Sequence, residues 1–147
     1  MINGNIEEML KNEGLYITTT VGVSMYPLLK NRRDNVLIRP VTRELKKYDV
    51  PLYKRGDKYL LHRIIKKTEK GYIIRGDNCD RKEFDITDDK IIGVLEALWR
   101  KEKYFTVDNA FYKIYSRLIV FFHPIIRFYK KIRYYLSRIK QKLFKRA

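Results

Sequence analysis

The sequence predicts a mainly β protein, in which a coiled antiparallel β-sheet domain is followed by a basic α-helical extension. Short runs of β-branched and aromatic residues recur between residues 15 and 99, and turn-forming residues separate them. Apolar residues from Phe111 to Leu143 are instead spaced alternately by four and three, which is the period of an amphipathic helix. We therefore divide the chain into a β domain over residues 1–104 and a helical tail over residues 105–147.

The first predicted elements lead the chain to a serine. Residues 5–12 predict a short helix that ends before Gly14, a residue type common just after a helix. Residues 15–23 are rich in Thr, Val and Ile, so they predict a strand that delivers the chain to Ser24. A charged loop follows, and residues 35–40 predict a second strand that ends in proline.

The remaining strands are predicted in pairs. Residues 49–54 and 58–65 flank an Arg-Gly-Asp sequence, which is a strong hairpin signal. The chain then turns into a strand over residues 72–75, which a Gly-Asp-Asn sequence ends. Residues 90–99 predict a last, longer strand. Regularly spaced short strands with tight turns favour an antiparallel sheet that coils.

Residues 21–27 read Val-Gly-Val-Ser-Met-Tyr-Pro and place Ser24 in an unusual local setting. Gly22 allows backbone angles that other residues avoid, and Pro27 fixes its own φ and restricts Tyr26. We expect Ser24 to lie on an irregular turn, where its hydroxyl and its N–H can both face a ligand. Most serines in turns bond only to nearby backbone, so this heptapeptide alone does not establish catalysis.

Three motifs in order carry a resemblance to a known family. They are Gly-x-Ser-Met-x-Pro at residues 22–27, His-Arg at residues 62–63 within an apolar strand, and Gly-Asp-Asn at residues 76–78. Together they resemble the serine peptidase clan of signal peptidase I and the LexA-type self-cleaving repressors, over residues 15–104. The resemblance implies a serine endopeptidase that cuts a peptide bound extended along a strand edge, after a small residue.

The resemblance implies that Ser24 is the nucleophile and His62 the general base. Most bacterial members have a Lys where this chain has His62; the endoplasmic-reticulum-type signal peptidases have a Ser/His pair. An imidazole with a pKa near 6.5 can accept the serine proton at neutral pH without the strong desolvation that a lysine base requires. Strand parity places His62 between apolar residues and turns Arg63 to the opposite face, where we expect a salt bridge under the sheet.

The sequence leaves open which acidic residue supports His62. The candidates follow the Gly-Asp-Asn motif closely: Asp77, Asp80, Glu83 and Asp85. The family pattern implies Glu83, with Asp85 next if the loop length differs. Asp77 is nearest the strand, although an aspartate before asparagine commonly shapes a turn. We therefore predict a catalytic set of Ser24, His62, Asp77 and Glu83.

Other features of the sequence bear on the oxyanion-binding groups, on disulfide formation and on metal binding. Gly22 stands where many signal peptidases have an oxyanion-binding serine, so we expect backbone N–H groups, including that of Ser24, to hold the oxyanion, with Thr20 a distant candidate. The lone Cys79 cannot form an intrachain disulfide, which favours a reducing compartment. Paired metal-ligand spacings are lacking, and we expect neither a metal nor a cofactor.

The positive charge is concentrated in the tail. The chain has a formal net charge of +16, and residues 100–147 contain 14 Lys or Arg against 2 Asp or Glu. A basic helix with an aromatic stripe suits an anionic membrane surface, so we expect residues 106–147 to bind one and consider nucleic acid a poorer partner. Pro124 should bend the helical region. The alternative function is a non-catalytic basic module that binds a membrane or nucleic acid through this tail.

Residues 1–20 contain no apolar run as long as that of a signal peptide. The sequence also has no stretch of about eighteen apolar residues, the length that would span a bilayer. We therefore expect a peripheral protein on the cytoplasmic side of a membrane. Composition supports a folded chain, because 45% of residues are hydrophobic although 34% are charged.

Overall fold

The structure, a computed structural model, describes residues 6–144, with side chains described for residues 6–141. It is mainly β, with a curled antiparallel half-barrel sheet and a C-terminal helical region, which confirms the predicted class at this level. The elements in chain order are α1 (Ile6–Glu13), β1 (Tyr16–Thr19), β2 (Asn35–Arg39), β3 (Pro51–Arg55), β4 (Lys58–Leu61), β5 (Arg63–Thr68), β6 (Gly71–Arg75), β7 (Glu83–Ile86), a 3₁₀ turn (Asp88–Lys90), β8 (Ile91–Arg100), β9 (Lys103–Thr106), α2 (Ala110–Phe121) and α3 (His123–Phe144). Residues 1–5 of the predicted β domain and 145–147 of the predicted tail lie outside the described residues.

Two antiparallel sheets share the β region. The larger has the order β1-β2-β8-β3-β4, and β9 also pairs with β8. The long β8 is its central strand, because β2 pairs along one edge while β3 and β9 pair successively with its first and second halves. The smaller sheet has the order β5-β6-β7. Strand β9 reaches Thr106, so the sheet continues two residues past residue 104.

The predicted strand over residues 58–65 is two strands that separate at His62. Strand β4 pairs with β3 in the larger sheet, whereas β5 pairs with β6 in the smaller one. The backbone N–H of Ile64 donates to the carbonyl of Asp49 at 2.8 Å, which continues the β3–β4 register while β5 pairs with β6 along its other edge. His62, Arg63 and Ile64 are consequently all buried, because the change of sheet gives each of them a protein neighbour.

Apolar side chains form two clusters that hold the sheets. The first packs α1, the turn after β1 and α2 against the larger sheet, and Met25 in this turn is only 4% exposed. The second lies against the smaller sheet and includes Tyr53, Ile64 and Ile74. Burial of Met25 anchors the segment that carries Ser24, since a fully buried methionine contributes about 1.5–3 kcal/mol.

A buried ion pair joins β5, the loop after β6 and α2. The Arg63 guanidinium donates from Nε and Nη2 to the two carboxylate oxygens of Asp77, each at 2.8 Å, and the side chains are 0% and 2% exposed. Its Nη1 donates to Ser116 Oγ at 2.8 Å and to the Tyr48 carbonyl at 3.0 Å, and Tyr115 donates to Asp77 at 3.1 Å. The expected salt bridge of Arg63 is therefore present, and α2 is part of the β domain's core.

The helical region breaks where the sequence predicted a bend. Helix α2 ends at Phe121 and α3 begins at His123, directly before Pro124. On α2, Tyr112, Ser116 and Ile119 are buried. On α3, by contrast, the apolar stripe is exposed at Ile125, Tyr129, Ile132, Leu136 and Ile139. Of the helices that the structure describes, none is long and apolar enough to cross a bilayer.

We predict that Asp77→Asn lowers the free energy of unfolding by about 3–5 kcal/mol, because it leaves the Arg63 charge buried without a counter-charge. Urea denaturation followed by tryptophan fluorescence measures this change. Arg43→Gln is the matched control, since it breaks an ion pair with Asp49 whose arginine is half-exposed, and it should cost about 1 kcal/mol or less. Equal losses in the two variants would contradict a structural role for the buried pair.

Candidate active site

Ser24 lies on a tight turn between β1 and β2, as the sequence predicted. Gly22 has a φ of 102°, a region that side chains avoid, and its N–H donates to Asn31 Oδ1 at 2.8 Å. The N–H of Tyr26 donates to the Val23 carbonyl at 3.2 Å, which closes the turn. Ser24 itself is half-buried, and its hydroxyl has no hydrogen-bond partner within residues 6–141.

The Gly-Asp-Asn loop holds this turn from the other side. The N–H of Asn78 donates to the Ser24 carbonyl at 2.8 Å, and its side-chain amide donates to the Val23 carbonyl at 3.0 Å. A methyl group on Gly76 would lie 2.7 Å from the Ser24 carbonyl oxygen and 2.8 Å from Cys79 Sγ, so only glycine fits there. The loop thus fixes the backbone of Ser24 by direct contact.

His62 is hydrogen-bonded to Glu83 and Tyr53. Its Nδ1 lies 3.1 Å from Glu83 Oε1 and 2.9 Å from the Tyr53 hydroxyl, and that hydroxyl donates to Glu83 Oε1 at 2.7 Å. Because the tyrosine proton goes to Glu83, the Nδ1 proton is left to donate to the tyrosine oxygen and the carboxylate. This arrangement favours the tautomer that leaves Nε2 as an acceptor. Nε2 has no partner in the described part of the chain and is not sealed from solvent.

The ionisation of these groups follows from their burial and neighbours. Burial lowers the pKa of His62 below its ordinary value, although the Glu83 charge works in the opposite direction. Burial tends to raise the pKa of Glu83, but the Tyr53 hydrogen bond and the Arg55 and His62 charges outweigh it and keep that pKa below its usual value. Burial raises the pKa of Tyr53 far above its ordinary value. At neutral pH the site therefore holds a neutral imidazole beside a carboxylate.

Ser24 also borders a mainly apolar cavity of about 220 Å³. The cavity is lined by residues of β1 and β4, which are edge strands at opposite ends of the curled larger sheet. Leu61, the neighbour of His62, and Gly22 line it as well. An extended peptide can hydrogen-bond to an exposed strand edge, so a chain lying there would pass the serine.

The structure separates the predicted site residues into two groups. Glu83 contacts His62, whereas Asp77 is bonded to Arg63 and Tyr115. The Ser24 hydroxyl and His62 are not hydrogen-bonded to each other, a frequent situation in sites without substrate. Asp85 is exposed. The Thr20 hydroxyl donates to the Asp34 carbonyl at 3.0 Å.

The sequence did not predict the contacts that Tyr53 and His123 make near these residues. Tyr53 was assigned only to a strand, and nothing local connects it to Glu83, which lies 30 positions later. His123 has no role in the sequence-based prediction, yet it is buried and its Nε2 lies 2.9 Å from the Cys79 carbonyl. Strand β7, which positions Glu83, has a readable signal, because polar and apolar residues alternate over Glu83–Ile86.

Comparison with known proteins finds no family model that matches the chain and no matching curated protein. Within residues 6–141, no group of three or more His, Cys, Asp or Glu side chains could hold a metal ion. The geometry and chemistry of the described residues therefore carry the functional argument.

We predict that the pKa of His62 lies below its ordinary value, because burial disfavours the imidazolium. Glu83→Gln should lower this pKa further, since it removes the charge that favours the protonated ring. Imidazole proton shifts in NMR across pH 4–8 measure it, with Asp85→Asn as a control that leaves the pKa unchanged. An unchanged or raised His62 pKa in Glu83→Gln would contradict the contact.

Proposed function

We propose that the protein is a serine endopeptidase of the signal-peptidase-like type, with Ser24 as nucleophile, His62 as general base and Glu83 as the residue that orients His62. The observation that carries the proposal is the contact of Glu83 and Tyr53 with His62 Nδ1, which leaves Nε2 free to accept a proton. A carboxylate at Nδ1 also stabilises the imidazolium that forms when Nε2 accepts a proton. The ordered Ser24, His62 and Gly-Asp-Asn motifs support the same assignment.

The proposed reaction begins when His62 Nε2 accepts the Ser24 Oγ proton as Oγ attacks the scissile carbonyl carbon. The backbone N–H of Ser24 has no acceptor in the described part of the chain, so it is available to the oxyanion. The imidazolium then gives its proton to the leaving amine as the peptide C–N bond breaks. Water, deprotonated by the same nitrogen, attacks the acyl-enzyme ester and releases the carboxylic acid and the serine hydroxyl.

Asp77 has a positioning role in this proposal. Its carboxylate neutralises Arg63, the residue after His62, and its neighbours Gly76 and Asn78 contact the Ser24 backbone. The two carboxylates predicted for the site thus have different roles. Glu83 orients the His62 imidazole, and Asp77 maintains the spacing between the Gly-Asp-Asn loop and β5.

Ser24→Ala and His62→Ala should each lower kcat/KM by about a thousandfold or more, because each removes a group that acts in bond breaking. The measurement incubates the protein with a peptide pool and follows new termini by mass spectrometry. Ser137→Ala, which removes an exposed serine on α3, is the control and should cleave like the wild type. Cleavage that persists in Ser24→Ala would exclude the proposed nucleophile, and a lack of cleavage by the wild type would favour the non-catalytic basic-module alternative.

We further propose that α3 holds the protein against an anionic membrane. Its apolar stripe is exposed and its flanks are basic, which is the pattern of a helix that lies in the membrane interface. Each basic residue near such a surface contributes on the order of 1 kcal/mol. Deleting residues 106–147 is a poor test, because Ser116 and Tyr112 of α2 are bonded to Arg63 in the core.

Substitutions on α3 avoid that problem. Ile132→Gln combined with Leu136→Gln should weaken co-sedimentation with phosphatidylglycerol vesicles about tenfold or more, because the variant keeps the charge but loses two exposed apolar side chains. Val41→Gln, an exposed apolar residue in a β-domain loop, is the control. Binding by the wild type should also fall as salt rises. Retention of duplex DNA without vesicle binding would favour the nucleic-acid alternative.

A further inference from the structure

A second cavity, of about 320 Å³, lies between α3 and the segment that joins β6 to β7. Four basic side chains line it, from Arg75, Lys82, Arg127 and Lys131, and Asp80 is the acidic residue in its lining. Phe128 of α3 also borders it. We call this cavity the basic pocket. It is separate from the Ser24 cavity, since the two share no lining residue.

Arg75 lines the basic pocket in an unusual state. The residue is only 7% exposed, its Nε is fully buried without a hydrogen bond, and its guanidinium makes no ion pair in the described part of the chain. Arg63 is a direct comparison, because it is also buried but donates to Asp77, Ser116 and the Tyr48 carbonyl. A buried charge without a partner is strongly unfavourable, so an unpaired arginine calls for a counter-ion.

Other positive charges near Arg75 make a counter-ion at this residue more favourable. Arg75 lies directly opposite Arg63 in the β5–β6 pairing, and residues so placed share one face of the sheet. Burial lowers the pKa of Arg75 below its usual value; the nearby carboxylates oppose this shift and the Arg127 charge adds to it. Arginine nevertheless stays protonated in proteins. Asp80, although it lines the basic pocket, is not within ion-pair distance of Arg75.

We propose that the basic pocket binds a phosphate group, with the Arg75 guanidinium as its main ligand. The planar fork of an arginine donates two parallel hydrogen bonds to a phosphate, and such charge-assisted bonds are among the strongest in proteins. Arg127 and Lys131 lie one helical turn apart on α3, so both can face the same anion. Four positive charges against one negative charge suit a phosphate dianion better than a single carboxylate.

This phosphate has two sources that the pocket's chemistry does not separate. One is free inorganic phosphate, and the other is the headgroup of an anionic phospholipid, which α3 would meet if it lies on a membrane. The binding itself does not depend on peptidase activity or on membrane association, so it is tested without either.

The experiment measures the Tm of the whole protein in sodium phosphate and in sodium chloride of equal ionic strength. Phosphate at about a hundredfold its Kd should raise the wild-type Tm by several degrees, and the shift should grow with the logarithm of the phosphate concentration. Arg75→Met should lose this shift while folding at least as well in chloride, because it removes the unpaired charge. Arg81→Met is the matched control, since Arg81 is exposed in the same loop and does not line the basic pocket; it should keep the shift.

Two further variants keep the test decisive if Arg75→Met fails to fold. Arg127→Gln alters an exposed side chain and should weaken phosphate binding by about tenfold, while Asp80→Asn should tighten it and leave the Tm in chloride unchanged. A lower Tm of Asp80→Asn in chloride would identify Asp80 as the partner of Arg75 and overturn the proposal.

A vesicle arm separates the two sources. Co-sedimentation compares vesicles of phosphatidylcholine with phosphatidic acid against vesicles of phosphatidylcholine with phosphatidylserine, matched in surface charge. Preference for phosphatidic acid that Arg75→Met removes supports a lipid phosphate, and a phosphate-dependent Tm shift without this preference supports the free ion. If neither the Tm shift nor the vesicle preference depends on Arg75, the proposal is wrong.

Discussion

The Arg63–Asp77 ion pair connects all the parts on which the proposed site depends. Arg63 follows His62 in the chain, and Asp77 lies between the two residues that contact the Ser24 backbone. The placement of His62 relative to Ser24 therefore depends on two parallel hydrogen bonds between buried side chains, and such bonds are strong in a protein interior. Ser116 and Tyr115 extend the network to α2. Burying two charges is unfavourable in itself, but here every strong donor has an acceptor, which favours one arrangement over looser ones.

The two carboxylates next to the site differ because their surroundings differ. Asp77 is enclosed and neutralised by a permanent cation, so it has little capacity to respond to a proton on His62. Glu83 is part-exposed and shares its oxygen with Tyr53, Arg55 and His62, so it can stabilise an imidazolium when one forms. Proximity along the sequence favoured Asp77, whereas the three-stranded sheet brings Glu83 to the ring. The placement of β7 brings the Glu83 carboxylate into contact with His62.

Local features of the fold could be predicted from the sequence, and long-range ones could not. The turn at Ser24 and the break beside Pro124 follow from Gly22 and Pro124, whose backbone preferences act within a few residues. The division of residues 58–65 at His62 depends on which strands are available as partners, and Tyr53 reaches Glu83 only through the packing of two sheets. The state of Arg75 is likewise invisible in the sequence, since it depends on packing that encloses its Nε without a hydrogen-bond partner among the described residues.

The uneven distribution of charge makes the molecule an electric dipole. Residues 100–147 hold 14 of the 33 Lys and Arg but only 2 of the 17 Asp and Glu, so one end is far more positive than the other. In a negative field the molecule experiences a torque and turns its helical end forward before any contact forms. At physiological ionic strength this torque extends over about 8 Å, and in dilute buffer over about 30 Å. Salt therefore changes how often an encounter begins in a useful orientation, in addition to how long the complex lasts.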